Sequence, residues 1–285
     1  QVKPKVLFAA DGYYYNGKAH DSLAKIRQIA DEIESLEQVV IVELVSATPD
    51  IQDICNAVPL AQWHSDFAAT SDIEFAQLPF DHPLYIMYSS GTTGVPKCIV
   101  HGAGGTLIQH LKEHKLHCDV GPQDTLFYFT TCGWMMWNWL VSGLASGATL
   151  VLYDGSPFAE GGKLLLDAID REAITIFGTS AKFISGLEKA GLRPCESHSL
   201  TSLKTILSTG SPLSHESFEY VYRDVKSDVL LASIAGGTDI ISCFVGGCPT
   251  RPVYTGQIQC RALGMAVEFW DEAGKSLAEG KGELV

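Results

Sequence analysis

Apolar and polar positions alternate along this chain in short, regular runs. "KVLFAA" (5–10) is an apolar run of strand length, and "HDSLAKIRQIADEIESL" (20–36) spaces Leu23, Ile26, Ala30 and Ile33 as on one helix face. "QVVIVELV" (38–45) is β-branched, so the opening predicts strand, helix, strand. Residues 46–81 have no clear period and predict loops with short turns. "HPLYIMYSS" (82–90) and "KCIVH" (97–101) predict two strands, and "GAGGTLIQHLKEHKLH" (102–117) a glycine-rich turn opening a helix. "DTLFYFTT", "ATLVLY", "AITIFG", "LKTILST" and "VLLASIA" follow as buried strands, separated by helical stretches such as "GKLLLDAIDRE" and "SHESFEYVYRDV". This alternation predicts an α/β fold, with a mostly parallel sheet covered by helices on both faces. "GMAVEFWDEAGKSL" and "GKGELV" predict antiparallel β material at the end, turning at Ala273-Gly274.

One run carries no charge from Thr125 to Tyr153. A membrane span needs about 20 mostly apolar residues with basic flanks. Here Ser, Thr, Asn and Gly interrupt the run, and Asp124 and Asp154 bound it. A buried strand–helix–strand is the expectation. With 285 residues, 46% of them hydrophobic, the chain can bury a sizeable core, in one large domain or two small ones. The net charge of −13 disfavours nucleic acid, although a local loop can still take a small anion. Eight cysteines without a C-x-x-C pair read as reduced thiols of a cytosolic compartment. The chain starts without Met and stops inside a strand-like segment, so a piece of a longer protein is expected.

The candidate chemistry centres on "YSSGTTGVPK", Tyr88 to Lys97. Glycines let main-chain N–H groups approach a ligand, hydroxyls add donors, and Lys97 adds a mobile positive charge. These are the parts of a phosphate cradle. The competing reading is a polar hairpin turn that happens to hold a lysine. Neither the Walker pattern nor the dinucleotide fingerprint fits.

The order and spacing of this loop resemble the phosphate-binding signature of the adenylate-forming superfamily, which includes the acyl-CoA synthetases. "STGSPL" (208–213), "GGTDI" (236–240) and "GKGELV" (280–285) resemble its later motifs, in its order. "PKCIVHGAGG" and "GGTDIISCF" are most similar to its acetoacetate–CoA ligase branch. The resemblance covers residues 1–285 as a partial N-terminal AMP-binding domain, without the C-terminal lid domain. It implies an acyl-adenylate made from ATP and acetoacetate, then transfer to coenzyme A, with Mg²⁺ as the metal; another short acid (propionate, butyrate, acetate) or a non-catalytic nucleotide-binding fragment is the alternative. Carried over residue by residue, Ser89, Ser90, Gly91, Thr92, Thr93, Gly94 and Lys97 would hold the phosphates, with Gly104-Gly105 packed nearby. Gly210, Ser211, Pro212, Gly236, Gly237 and Thr238 would border AMP, and Trp134, Met135, Met136, Thr209 and Gly236 the acyl group. Lys97, Thr238 and Asp239 would carry the chemistry, with Asp239 on the metal. Two positions depart from the pattern: Asp239 replaces the usual Glu, and Cys98 stands where Gly is frequent. Gly236 stands where acetyl-CoA synthetases have Trp, which would open the pocket for an oxo acid larger than acetate.

Other residues leave alternatives open. His110, His114 and His117 share one helix face and could bind zinc, but an exposed polar face is the favoured expectation. His101 reads as a positioning residue. Trp134 divides evenly between core and ligand pocket. Ser89 and Ser90 lack a nucleophile elbow. Asp11, in "ADGYYYNGK", has no assignable role, and its three tyrosines suit surface or pocket.

Overall fold

The computed structural model describes residues 2–65, 73–89 and 94–285. Contacts divide the chain into two units, residues 1–79 with 154–156 and residues 80–153 with 157–285.

The first unit begins with β1 (Val6–Ala10), β2 (Gly12–Tyr15), β3 (Lys18–Asp21) and α1 (Leu23–Glu32). It continues with β4 (Gln38–Val42), β5 (Ala57–Pro59) and α2 (Leu60–Ser65). The sheet order is β1-β4-β5, and both pairings are parallel. Leu23, Ile26 and Ala30 of α1 pack with Leu7, Val39 and Ile41, so the helical spacing marks the buried face. The hairpin β2–β3 was not foreseen as strands. Its signal is Asn16-Gly17, both at positive φ, which suits the tight two-residue hairpin turn. Tyr13, Tyr14 and Tyr15 are exposed, and Tyr13 stacks on His20.

Asp11 has a structural task. Its carboxylate accepts N–H bonds from Leu44 and Val45 at 2.9 Å and from Ser46 at 2.7 Å. Burial pushes its pKa up, but these main-chain bonds outweigh that and hold it below the usual range. An ionised carboxylate thus fixes the turn after β4.

The second unit opens with the antiparallel hairpin β6 (Pro83–Ser89) and β7 (Lys97–Gly102), then α3 (Ala103–Lys112). Next come β8 (Thr125–Tyr128), α4 (Met135–Ser142), β9 (Thr149–Val151), α5 (Lys163–Arg171) and β10 (Ile176–Ser180). Then follow α6 (Ala181–Lys189), α7 (Pro194–Ser197), β11 (Thr205–Thr209), α8 (His215–Tyr220) and β12 (Leu230–Ser233). The five parallel strands lie in the order β12-β11-β10-β8-β9. Successive residues serve opposite faces, as strand geometry requires. Phe127, Ile206 and Leu231 join α5, α6 and α8 in one core, while Leu126, Leu207 and Ala232 join α4 in another. Gly178 of β10 faces its register partner Tyr128, whose ring carbon would lie 2.0 Å from any Cβ at 178. The uncharged run is the strand–helix–strand β8–α4–β9, and no described helix is long and apolar enough to cross a membrane. The unit closes with the antiparallel β13 (Ala235–Gly237), β14 (Ser242–Gly246) and β15 (Cys260–Arg261), then the hairpin β16 (Phe269–Trp270) and β17 (Glu283–Leu284).

Candidate functional site

A cavity of about 490 Å³ opens in the second unit beyond the C-terminal ends of β8, β11 and β12. Open α/β sheets bind ligands at that end of their strands. Trp134–Met136 and Trp139 line it from the start of α4, Thr209–Leu213 from the turn after β11, and Ser233–Thr238 from β12 and β13. Gly210, at φ +91°, turns the chain out of β11. The Thr209 hydroxyl donates to the Ile234 carbonyl at 2.8 Å, and the Ile234 N–H donates to Ser208 O at 2.8 Å. The two ligand-facing turns are thereby tied to each other.

Of the residues singled out in the sequence, Trp134, Met135, Met136, Thr209, Gly210, Ser211, Pro212, Gly236, Gly237 and Thr238 share this lining. Lys97 and Asp239 are exposed and lie outside it. Lys97 starts β7 opposite Ser89, the last residue of β6. Neither Lys97 nor Asp239 forms an ion pair among the described residues. Gly94 has φ +137° and is exposed. Ser90, Gly91, Thr92 and Thr93 lie outside the described residues. Gly104 is required by packing, since a Cβ there would meet the Phe80 ring at 2.2 Å, whereas Gly105 has open space. Gly236 also has a packing reason: a Cβ would lie 2.1 Å from Ser242 O, against β14. The glycine lets β13 and β14 close at the register shift between Ala235 and Gly236.

Along one wall of the cavity, where Glu113, His117, Ser242 and Cys243 join the lining, lies a polar layer that the sequence reading placed wrongly. His110, His114 and His117 are buried, with exposures of 0%, 0% and 4%, so they form no exposed face. The physical reason is that α3 runs on into a π turn, Glu113–His117, packed against β14 and α4. The zinc alternative also fails, because no metal-holding cluster occurs among the described residues. The His110 Nε2–H donates to Ile241 O at 3.0 Å, and burial holds its pKa down. His117 donates from Nδ1 to Gly247 O at 2.8 Å and accepts the Leu263 N–H at Nε2, which fixes one neutral tautomer. His101 donates from Nε2 to Thr238 O at 2.8 Å and so steadies the turn before Asp239.

Glu113 is the centre of this layer and was not among the sequence candidates. Its Oε1 accepts from the Ser242 hydroxyl, from the Cys243 N–H at 3.0 Å and from Gln109 at 3.0 Å. Its Oε2 accepts the Trp139 indole N–H at 2.9 Å. Lys112 stands 3.7 Å away. Burial raises the Glu113 pKa, but the Ser242, Cys243 and Lys112 contributions overcome it and the net shift is downward. His114 stacks edge-on to Trp139, with ring centroids 4.2 Å apart. Burial first, then His110, lowers its pKa to about 4, against weaker opposition from Glu113 and the Trp139 main chain. The signal in the sequence was the four-residue spacing of Gln109 with Glu113 and of His110 with His114, which sets polar residues together on the face the fold buries while Leu107, Ile108 and Leu116 stay exposed.

The whole chain, residues 1–285, matches the model of the AMP-binding enzyme family, and it belongs to that family. It is 55% identical over its full length to acetoacetyl-CoA synthetase of Gallus gallus, covering 43% of that protein. It is 53% identical over its full length to acetoacetyl-coenzyme A synthetase of Rhizobium meliloti, covering 44% of it. Among solved structures, acetoacetyl-CoA synthetase from Streptomyces lividans superposes with a TM-score of 0.91 at 41% identity, over 99% of this chain and 43% of that one. The chain thus spans less than half the length of these relatives.

Proposed function

We propose that the full-length protein is an ATP-dependent acid–thiol ligase that activates acetoacetate. The observation carrying this reading is the convergence of the 134–139, 209–213 and 233–238 segments on one cavity, in a chain of the AMP-binding enzyme family. A cavity of about 490 Å³ suits a small ligand, since such sites run to roughly 300–1,000 Å³. In the first half-reaction an acetoacetate carboxylate oxygen attacks the α-phosphorus of ATP, and pyrophosphate leaves. In the second, the coenzyme A thiol attacks the acyl carbon, and AMP leaves with the bonding electrons.

The chain's own residues supply position and charge. Lys97, Ser89, Gly94 and the intervening Ser90, Gly91, Thr92 and Thr93 hold the terminal phosphates, so the charge growing on the leaving pyrophosphate meets a cation and hydroxyl donors. Thr238 donates to the α-phosphate, on a turn whose carbonyl His101 holds. Gly210, Ser211 and Pro212, with Gly236 and Gly237, border the adenine. Trp134, Met135, Met136, Thr209 and Gly236 enclose the acyl group, which orients its carboxylate for in-line attack. Asp239 fits a hard cation as an exposed carboxylate without an ion-pair partner among the described residues, and Mg²⁺ held there would offset phosphate charge. Eight free thiols suit a cytosolic setting.

Acid-dependent ATP–pyrophosphate exchange on the full-length protein tests this reading, with acetoacetate, acetate, propionate and butyrate compared. Strong exchange with acetoacetate and little with acetate is expected. Preference for another acid would keep the mechanism and reject the substrate. ATP binding without exchange for any acid would reject catalysis.

A further inference from the structure

Two cysteines, Cys248 and Cys260, stand where the loop between β14 and β15 leaves and rejoins its sheet. Gly246, the last residue of β14, is the register partner of Cys260 in β15. The Cys260 Sγ lies 3.5 Å from the carbonyl oxygen of Gly247, the residue before Cys248, and 3.7 Å from that of Gly246. Gln259 clamps the other strand of this neck: it accepts the Cys248 N–H at 3.0 Å and donates to the Cys248 carbonyl at 3.1 Å. Backbone pairing and the Gln259 clamp thus set the two cysteines side by side at this neck, and both side chains are only half-buried. Their settings differ. The Thr250 hydroxyl lies 3.4 Å from the Cys248 Sγ. That contact first, against burial, then the Thr250 main chain and Arg251, holds the Cys248 thiol below its usual range. Burial and the neighbouring Cys248 raise that of Cys260. A more acidic, accessible thiol beside a less acidic one is the arrangement of an attacking and a resolving cysteine.

We propose that Cys248 and Cys260 form a reversible oxidation site, at which a hydroperoxide closes a disulfide across the loop that walls the cavity. The Cys248 thiolate attacks the terminal peroxide oxygen, the O–O bond breaks, and the alcohol or water leaves as Cys248 becomes a sulfenic acid. The Cys260 thiol then attacks that sulfur, and a second water leaves as the S–S bond forms. The peroxide is reduced by two electrons and the thiol pair is oxidised by two. The closed loop contains Gly256, Gln257 and Ile258, which line the cavity. Its neck has little slack, since a Cβ at Gly247 would lie 2.7 Å from the Ala232 Cβ, and Gly247 O is bonded to His117. Drawing the Cys260 Sγ off the Gly246 and Gly247 carbonyls therefore displaces cavity wall, and the oxidised protein is slower.

The test treats the full-length protein with hydrogen peroxide and maps its peptides without reduction. One cross-linked pair carrying Cys248 and Cys260 is expected, with the loss of two free thiols and their return on adding dithiothreitol. In Cys260→Ser, dimedone should trap a sulfenic acid on Cys248. In Cys248→Ser, no cross-link should form, and exchange activity should survive a peroxide dose that slows the wild type several-fold. Oxidation of the exposed Cys55, Cys132 or Cys195 while Cys248 and Cys260 stay reduced would overturn the proposal. Equal peroxide sensitivity of Cys248→Ser and wild type would overturn the coupling to the cavity. The peptide map reads the thiols themselves, so it separates failure of this site from failure of the ligase reading.

Discussion

Glu113 and Lys97 belong to the same unit and differ in every respect that decides what a charge is for. Glu113 is 5% exposed, and both carboxylate oxygens are taken by donors from α3, α4 and β14. Lys97 is exposed at the mouth of a hairpin and has no ion-pair partner among the described residues. A buried charge persists only when its surroundings satisfy it, so Glu113 is committed to structure. An unpaired surface cation costs the fold little, and it remains available for a ligand. The cavity therefore has one wall held by Glu113 and its donors, while the candidate phosphate-binding lysine belongs to an open hairpin.

Glu113→Ala should give the largest effect. It strands the Trp139 indole and the Cys243 N–H without acceptors, and breaking such a buried set costs roughly 3–5 kcal/mol. Denaturant unfolding should show that loss, and a change under about 1 kcal/mol would place the layer outside the stability of the fold.

His114 sharpens the same contrast through pH. Its native pKa is about 4, below the ordinary value of 6.5. The unfolded chain therefore binds a proton that the native state refuses between pH 6.5 and 4, so stability falls as pH falls through that window. The full contribution is about 3 kcal/mol. His114→Phe keeps the ring against Trp139 and should flatten that part of the stability–pH curve. An unchanged acid slope would show that His114 is protonated in the native protein.

A smaller effect is expected at the tie between the two ligand-facing turns. Thr209→Val removes the bond to the Ile234 carbonyl and should cost about 1 kcal/mol. The loss should appear in both unfolding and ATP affinity, because the residue is load shared between fold and cavity. Asp239→Asn should be smallest for the fold, within about 0.5 kcal/mol, since the group is exposed. A marked fall in its melting temperature would give Asp239 a structural role.

Much of this architecture was legible in the sequence because the parallel strands are buried on both faces. Runs such as Thr205–Thr209 and Leu230–Ser233 then read as continuous apolar segments bounded by turns. The cavity-lining residues that the sequence did suggest, such as Thr209–Pro212 and Gly236–Thr238, came from ordered motifs and not from periodicity, while Glu113 and Gly256–Ile258 of the same lining were missed. What escaped lies where one residue type serves two environments. His110 of α3 and His114 and His117 of the π turn sit among Lys112, Glu113 and Lys115 and read as a solvated face, yet partners at Ile241 and Gly247, which flank β14 more than 120 positions away, hold His110 and His117 inside. Asp11 was opaque for the same reason, since its partners at Leu44, Val45 and Ser46 lie across the unit. Gly236 read as a missing indole, while its nearest atoms belong to the main chain of β14. The Asn16-Gly17 hairpin was the opposite case, a local signal hidden by three conspicuous tyrosines.

The most direct test of the division between committed and available charge is ATP affinity of the full-length Lys97→Ala protein, by calorimetry, alongside its melting temperature. The account predicts affinity at least about tenfold weaker, a loss of about 1.4 kcal/mol, with an unchanged melting temperature. Equal affinity would contradict it and return the hairpin to the reading of a polar turn that happens to carry a lysine.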